Sequence, residues 1–232
     1  MNEGWVEVNG IRLSYSRAGK GGMDAVLVHG NGEDRHLFEQ VIPRLVSGGF
    51  RVYAPDSRGH GESTPVSEYH YADMAEDIYL FIRRLGLKKP LLYGHSDGGI
   101  IGLLLEMSHP GTLGLLAVSG ANLSPEGLDR GLIAELEARA GTAPDPLAEL
   151  MLNEPRIDPA GLRNIRIPTL VMAGERDLVL PWETRRIAEG LPGGCLVTVK
   201  GADHGNYVTD GTAADLVLAF AAEHAGPKGT FS

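Results

Sequence analysis

One short motif restricts the folds open to this chain more than any other feature. The run Gly94-His95-Ser96-Asp97-Gly98 directly follows an apolar segment at 90–93 and opens a helical pattern at about 98–107. A G-x-S-x-G sequence between a strand and a helix predicts a tight, strained turn, because a Cβ at either glycine would collide with it. Such a turn projects the central residue, Ser96, into a cleft. The alternative is an ordinary glycine-rich turn without chemistry.

The rest of the chain alternates short apolar runs with longer helical patterns. The pair Asn9-Gly10, which is favoured in two-residue hairpins, predicts antiparallel edge strands at 5–9 and 11–16. Further strands are predicted at 25–29, 51–54, 90–93, 113–119, 169–173 and 195–199, and helices at 37–46, 71–85, 98–107, 182–190 and 213–222. This alternation predicts an α/β protein with a mostly parallel sheet.

Residues 121–166 interrupt the alternation. They contain two amphipathic patches, one on each side of a breaker at 141–146. The patches are Leu128, Leu132, Ile133 and Leu136, followed by Leu147, Leu150 and Met151. We interpret 121–166 as a short helical cap inserted into a single domain whose core is 1–120 and 167–232. The apolar patches are expected to face a pocket, although a homodimer formed through the cap is an alternative.

Composition disfavours several classes of partner. Lys and Arg total 21 against 30 for Asp and Glu, and the resulting charge of −9 repels nucleic-acid phosphates. No run approaches the roughly 20 apolar residues of a membrane span, and the first ten residues do not resemble a signal peptide. We therefore expect a cytoplasmic protein with a small-molecule substrate. The single cysteine, Cys195, cannot form an internal disulfide and is expected in the core of a strand.

Two loops could supply the groups that activate a serine hydroxyl. A serine nucleophile needs an imidazole within hydrogen-bond reach and a carboxylate that orients the imidazole. Asp177 follows the strand at 169–173 and His204 follows the strand at 195–199, so both are expected at the carboxyl edge of the sheet with Ser96. Glu175 competes with Asp177 but is expected to face another way. The other seven histidines lack this loop and order, and no H-E-x-x-H run indicates a metal.

An oxyanion formed by serine attack needs two backbone N–H donors. The turn supplies the N–H of Asp97, and the glycine-rich loop after the strand at 25–29 is expected to supply the N–H of Asn31. Gly30-Asn31-Gly32 also imitates a dinucleotide fingerprint. Because Arg35 occupies the place of the third glycine, we expect no cofactor.

Five sequence stretches together resemble the α/β-hydrolase superfamily, nearly end to end. They are His29-Gly30, the run from Asp56 to Ser63, Gly94 to Gly98, Gly174 to Asp177, and His204. The resemblance implies an eight-stranded sheet with its second strand antiparallel, a cap after strand six, no cofactor and hydrolysis through an acyl-enzyme. Relatives with dehalogenase or epoxide hydrolase activity carry Asp at the centre of the turn, so Ser96 disfavours those activities. The run at 56–63 is expected to be a structural loop.

These features favour a serine hydrolase that cleaves a small or medium carboxylic ester through an acyl-enzyme on Ser96. Hydrolysis of a carbon–carbon bond in a vinylogous diketone is an alternative, because similar caps and the same triad serve both reactions. Acyl transfer, perhydrolysis, or a ligand receptor that retains the triad also stay open. The side chains of Asp97, Glu33 and Asp34 are expected to make the site mouth electronegative and to discourage anionic substrates.

Overall fold

Eight strands form one sheet at the centre of the protein. A computed structural model of the chain describes residues 2–224; residue 1 and residues 225–232, the two ends of the predicted domain, lie outside the described part. The strands are β1 (Asn2–Val8), β2 (Ile11–Ala18), β3 (Met23–Val28), β4 (Phe50–Pro55), β5 (Leu91–His95), β6 (Leu115–Ser119), β7 (Thr169–Arg176) and β8 (Gly194–Asp203).

The strands run in the order β1-β2-β4-β3-β5-β6-β7-β8. β2 is antiparallel to both β1 and β4, and every other neighbouring pair is parallel. Asn9 and Gly10 both have positive φ, at 47° and 77°, as the tight hairpin turn requires. The predicted mostly parallel sheet with an antiparallel second strand is confirmed. Only β1 of the hairpin is an edge strand, since β2 also pairs with β4.

Helices cover both faces of the sheet and complete three layers. They are α1 (Val41–Ser47), α2 (Tyr71–Arg84), α3 (Asp97–Ser108), α4 (Arg130–Thr142), α5 (Pro146–Asn153), α6 (Pro181–Gly190), α7 (Asn206–Thr209) and α8 (Thr212–His224). Apolar side chains of α1 and α8 pack on one face, while those of α2, α3 and α6 pack on the other. No helix within residues 2–224 has both the length and the apolar character needed to cross a membrane.

The predicted helix at 37–46 is broken in two. A short 3-10 turn, Arg35–Phe38, precedes α1, which begins only at Val41. Pro43 explains the break, because it has no N–H to donate to the carbonyl four residues earlier and is tolerated only in the first turn of a helix. The helical pattern was therefore read correctly, but the interruption by Pro43 was missed.

Cys195 is exposed, so its prediction as a core residue was wrong. β8 is the last strand of the sheet and has only β7 as a neighbour. Its first three residues, Gly194 to Leu196, are all exposed, whereas Ala202 near its other end is buried. An apolar run in an edge strand resembles a buried strand in sequence, because periodicity does not record which strands lie at the edge.

The helices α4 and α5 lie between β6 and β7, within the segment 121–166 that was predicted as a cap. The base of this pair is joined to the loop after β7 by a bridge between Leu128 and Val179 and by an N–H of Asp129 that donates to Leu178 O at 2.8 Å. Leu150 on α5 and Leu162 later in the segment both belong to the main core cluster. The segment is therefore attached both to the loop after β7 and to the core.

Candidate active site

Ser96 occupies a strained turn between β5 and α3. Its backbone has φ 52° and ψ −116°, a region that residues other than glycine rarely adopt. The flanking glycines permit this turn: a Cβ at Gly94 would lie 2.0 Å from the carbonyl oxygen of Gly98, and one at Gly98 would lie 1.9 Å from that of Val28. The sequence therefore folds into the sharp strand-to-helix turn that the motif predicts.

His204 and Asp177 meet at the same edge of the sheet. The Nδ1 atom of His204 lies 2.6 Å from Oδ1 of Asp177, whose side chain is only 2% exposed. The carboxylate also accepts N–H groups from Val179 at 3.0 Å and Gly174 at 2.9 Å. Burial acts to raise the pKa of Asp177, but the hydrogen bond and charge of His204 and these two N–H donors lower it below its ordinary value. Asp177 is therefore a carboxylate fixed against one imidazole nitrogen.

Glu175 points away from this pair. It is exposed, and its Oε2 atom accepts the N–H of Gly201 at 2.8 Å. This contact links the ends of β7 and β8 and leaves the imidazole of His204 to Asp177. Of the two neighbouring acids, only Asp177 reaches His204.

Ser96 and His204 line one cavity of about 190 Å³ beneath the α4–α5 pair. Its polar lining also includes Asn31, Glu33, His95, Asn122 and Arg139, and its apolar lining comprises Leu128, Leu132, Leu136, Met151, Leu178 and Val179. Four of the seven apolar cap residues singled out in the sequence thus face the cavity. On the cap side the lining is apolar except for Arg139, and most of the polar lining residues lie at the sheet edge.

The loop after β3 brings Asn31 to the cavity. A Cβ at Gly30 would lie 3.0 Å from the Cβ of Ser96, which shows how closely the loop approaches the turn. Asp97 is the first residue of α3, where helix N–H groups have no partner inside the helix. The two predicted N–H donors, those of Asn31 and Asp97, therefore belong to segments that meet beside Ser96.

The run at 56–63 holds this loop in place. The N–H of Ser57 donates to Nε2 of His29 at 2.9 Å, and the N–H of Gly32 donates to Nε2 of His60 at 3.1 Å. Because Nε2 of His29 accepts, its Nδ1 carries the proton and donates to Gly30 O at 2.8 Å. Burial lowers the pKa of His29 to about 4, so its ring is neutral. These contacts agree with the structural role predicted for the run.

The carboxylate of Asp97 does not reach the mouth of the cavity, contrary to expectation. Asp97 is 2% exposed, and it accepts the Tyr71 hydroxyl at 2.7 Å and the Nδ2 group of Asn31 at 3.1 Å. Asp34 instead accepts the N–H of His36 at 2.8 Å, at the start of a 3-10 turn. Of the three acids expected at the mouth, only Glu33 lines the cavity, and burial raises its pKa. The predicted electronegative mouth therefore depends on Glu33 alone, and its effect on anionic substrates stays a prediction.

Sequence reasoning did not single out His95. Its Nδ1 atom lies 3.0 Å from Ser119 Oγ, which lies 3.0 Å from the Tyr93 hydroxyl, and its ring centroid lies 4.9 Å from that of His204. Burial lowers the pKa of His95 to about 3, so a neutral ring packs beside His204. Its position inside the motif was the only available signal.

Tyr71 and Arg139 were also missed as site residues. Tyr71 reads as a core position of an amphipathic helix, and its hydroxyl partner, Asp97, is distant in sequence. Arg139 lines the cavity from α4 and also pairs with Asp145 at 2.7 Å. Within residues 2–224, no group of three metal-ligating side chains converges. The site thus consists of a serine and an imidazole–carboxylate pair, with the loop after β3 and the start of α3 beside them at one cavity.

A sequence model described as the alpha/beta hydrolase family matches residues 25–219 of this chain. Among curated proteins, the chain is 34% identical to human serine hydrolase BPHL over 122 residues, which is 50% of this chain and 42% of that protein. It is 32% identical to pig bifunctional epoxide hydrolase 2 over 114 residues, 47% of this chain and 20% of that protein. The matched segments thus span less than half of the length of either relative.

Solved structures resemble the chain over nearly its whole length. A hydrolase from Pseudomonas aeruginosa superposes with a TM-score of 0.78 and 25% identity, covering 94% of this chain and 98% of that one. The enol-lactonase of Burkholderia xenovorans superposes with a TM-score of 0.77 and 22% identity, covering 94% and 99%. The second likeness shows the shared fold alone.

Proposed function

Because this chain belongs to the alpha/beta hydrolase family, we propose that it is a serine hydrolase that cleaves a carboxylic ester with a small acyl group. One observation carries the proposal. Ser96, held at φ 52° in the turn before α3, lines the same cavity as His204, and the Nδ1 atom of His204 is hydrogen-bonded to Asp177. A nucleophile, a base and an orienting acid are the parts that acyl transfer to water requires.

The reaction begins when Ser96 Oγ attacks the ester carbonyl. Since the carboxylate of Asp177 only accepts hydrogen bonds, the Nδ1 atom of His204 carries its proton and Nε2 is left to take the proton of Ser96. The ester C–O bond then breaks as His204 protonates the leaving alcohol. A water molecule, deprotonated by the same nitrogen, attacks the acyl-enzyme, releases the acid and restores Ser96.

The groups around His204 and Ser96 suit the charges of this cycle. The imidazolium formed in each half-reaction lies against the Asp177 carboxylate, while the neutral ring of His95 adds no competing charge. The oxyanion on the former carbonyl accepts the N–H groups of Asn31 and Asp97. Serine at the turn, rather than aspartate, favours an acyl-enzyme over the alkyl-enzyme chemistry of epoxide or halide cleavage.

The size and lining of the cavity support a small acyl group. A cavity of about 150 Å³ is known to accommodate benzene, so the 190 Å³ space has room for a group slightly larger than one ring. The cap side of the cavity is mostly apolar, with Leu132, Leu136 and Met151 among its lining residues beside Arg139. We therefore expect turnover of p-nitrophenyl acetate and butanoate to exceed that of the octanoate.

The first test combines a covalent probe with turnover. The purified protein and its Ser96→Ala variant are treated with a fluorophosphonate and assayed on p-nitrophenyl esters from acetate to octanoate. We expect the wild type to label and to hydrolyse, and Ser96→Ala to lose both, with turnover falling about 10⁶-fold. Ser47→Ala, at an exposed position in the last turn of α1, is the matched control and should behave as wild type.

Two other outcomes would contradict the proposal. A wild type that labels but hydrolyses no ester would favour carbon–carbon bond cleavage or a receptor that retains its triad. A wild type that does not label would show that Ser96 is not an activated nucleophile.

We also propose a small-molecule substrate rather than nucleic acid, since the net charge of −9 repels phosphate. A cytoplasmic location and a homodimer stay predictions from the sequence.

A further inference from the structure

The two residues whose N–H groups flank the oxyanion position are also joined through their side chains. Nδ2 of Asn31 donates to Oδ2 of Asp97 at 3.1 Å, although the two residues are 66 positions apart in the chain. One belongs to the loop after β3 and the other begins α3, so this hydrogen bond spans the gap between the two segments that supply the N–H donors. We call this hydrogen bond the Asn31–Asp97 bridge. It limits how far apart the backbone N–H groups of the two residues can lie.

The bridge is fixed by further contacts. The Asn31 amide nitrogen also donates to the carbonyl oxygen of Leu147 on α5, at 3.3 Å. Since a carboxylate and a carbonyl only accept, both contacts require the nitrogen of the amide, which defines the orientation of the side chain. On the other side, Tyr71 donates its hydroxyl to Oδ1 of Asp97 at 2.7 Å, so each carboxylate oxygen has a donor.

The same cluster is bonded to the cap a second time. Glu154, just after α5, accepts the N–H of Tyr71 at 3.0 Å and contacts the ring of His70 at 2.7 Å. Leu147 near the start of α5 and Glu154 beyond its end therefore both reach the Asn31–Asp97–Tyr71 cluster. Helix α5 is therefore hydrogen-bonded to this cluster near both of its ends.

We infer that the side chains of Asp97, Tyr71 and Asn31 are positioning groups. They fix the relative placement of the two N–H donors of the oxyanion hole and link that placement to the position of cap helix α5. This inference rests on the proposed acyl-enzyme chemistry at Ser96. The buried Asp97 carboxylate receives the tyrosine on one oxygen and the Asn31 amide on the other, and so holds the loop after β3 against the start of α3. Displacement of α5 would remove the Leu147 contact from the same amide nitrogen.

The inference predicts a defined pattern of kinetic losses. Asn31→Ala, Asp97→Asn and Tyr71→Phe each keep both backbone N–H groups but loosen their placement. We expect kcat for p-nitrophenyl acetate to fall about 10- to 100-fold in the first two and less in Tyr71→Phe, with KM changing less than about 3-fold. The affinity for a trifluoromethyl ketone, which forms a serine-bound oxyanion, should fall in parallel with kcat. A purely structural role would lower the melting temperature without this split.

A double-mutant cycle tests the bridge itself. If Asp97 acts through Asn31, the variant with both Asn31→Ala and Asp97→Asn should have a kcat no lower than that of the more impaired single variant. Losses that multiply would overturn the inference, because Asp97 would then act independently of Asn31. The matched controls are Asp158→Asn, at an exposed N-cap, and Tyr79→Phe, about two turns further along α2, where the ring stacks on His109; both should retain wild-type kcat.

A reciprocal exchange provides a rescue. Asn31→Asp alone places two carboxylates face to face, and we expect it to be the most impaired single variant. Adding Asp97→Asn restores a donor and an acceptor across the gap and should recover kcat at least 10-fold over Asn31→Asp. No recovery in a folded double variant would count against the bridge. These results are distinct from the test of the proposed function, which fails if the wild type does not label with fluorophosphonate or hydrolyses no ester.

Discussion

The proposed chemistry depends on a few side chains whose surroundings differ sharply. Asp177 is buried yet has its pKa lowered, because His204 and two backbone N–H groups stabilise its charge. Asp97 is equally buried, but its pKa is raised, since desolvation outweighs the hydrogen bonds from Tyr71 and Asn31. The contacts of these two aspartates near Ser96 thus suit two different roles, the proposed orienting acid for Asp177 and a structural acceptor for Asp97.

The choice of orienting acid can be tested at the residue scale. Asp177→Asn should lower kcat about 10³- to 10⁴-fold with little change in KM, because an amide holds His204 in the wrong tautomer. Glu175→Gln is the matched control, two positions away and exposed, and should stay within about 2-fold of wild type. Steady-state kinetics on p-nitrophenyl acetate give both values, and the reverse order of effects would transfer the acid role to Glu175.

At the scale of elements, the site depends on where strands end and helices begin. β5, β7 and β8 each end next to one member of the proposed triad, and α3 begins at the residue after Ser96. These positions could be predicted, because strand-ending loops follow directly from hydrophobic runs in the sequence. The contacts between α5 and the Asn31 loop could not, since backbone carbonyls such as that of Leu147 leave no trace in the residue pattern.

The cap should control the length of the acyl group. Leu132 is half-buried on α4 and lines the cavity, so Leu132→Ala enlarges the space available to substrate. We expect kcat/KM for the octanoate ester relative to acetate to rise about 10-fold, in line with one to two extra methylene groups accommodated. Ile133→Ala is the matched control, because Ile133 follows Leu132 in the chain and is also half-buried but does not line the cavity. An unchanged chain-length profile in Leu132→Ala would show that the substrate lies elsewhere.

At the scale of the whole molecule, sequence reasoning recovered the architecture and misjudged exposure. The sheet and its layers follow from the alternation of apolar runs and helical patterns, because each pattern reports one local period. Burial is a property of the assembled fold. Cys195 on the edge strand β8 and Asp97 beneath Tyr71 were therefore placed wrongly, although both lie in correctly predicted elements.

Two buried neutral histidines make global stability depend on pH. The pKa values of His29 and His95 are about 4 and 3 in the folded protein, below the ordinary 6.5 of an unfolded chain. The unfolded state therefore binds more protons below pH 6.5, and stability is lost as pH falls from there towards the folded values. At pH 5, each histidine costs about 2 kcal/mol of unfolding free energy relative to pH 7.5.

A variant separates this contribution from that of the carboxyl groups. The raised pKa of a buried acid such as Asp97 acts with the opposite sign, so the total change in stability is a mixture. His95→Asn should reduce the loss between pH 7.5 and pH 5 by about 2 kcal/mol in urea unfolding. An identical loss in wild type and His95→Asn would mean that His95 is not buried as a neutral ring.

The contacts that attach the cap to the rest of the protein also affect how such a protein could acquire new substrates. The base of the cap is joined to the Asp177 loop through Leu128 and Val179, and α5 is bonded through Leu147 and Glu154. Between these points lies α4, which contains Leu132 on the cavity and the buried Leu136. A segment grafted from another hydrolase would need to reproduce those attachments and the packing of Leu136. Selection in the laboratory can therefore exchange the substrate-facing part of the cap while the catalytic loops keep their supports.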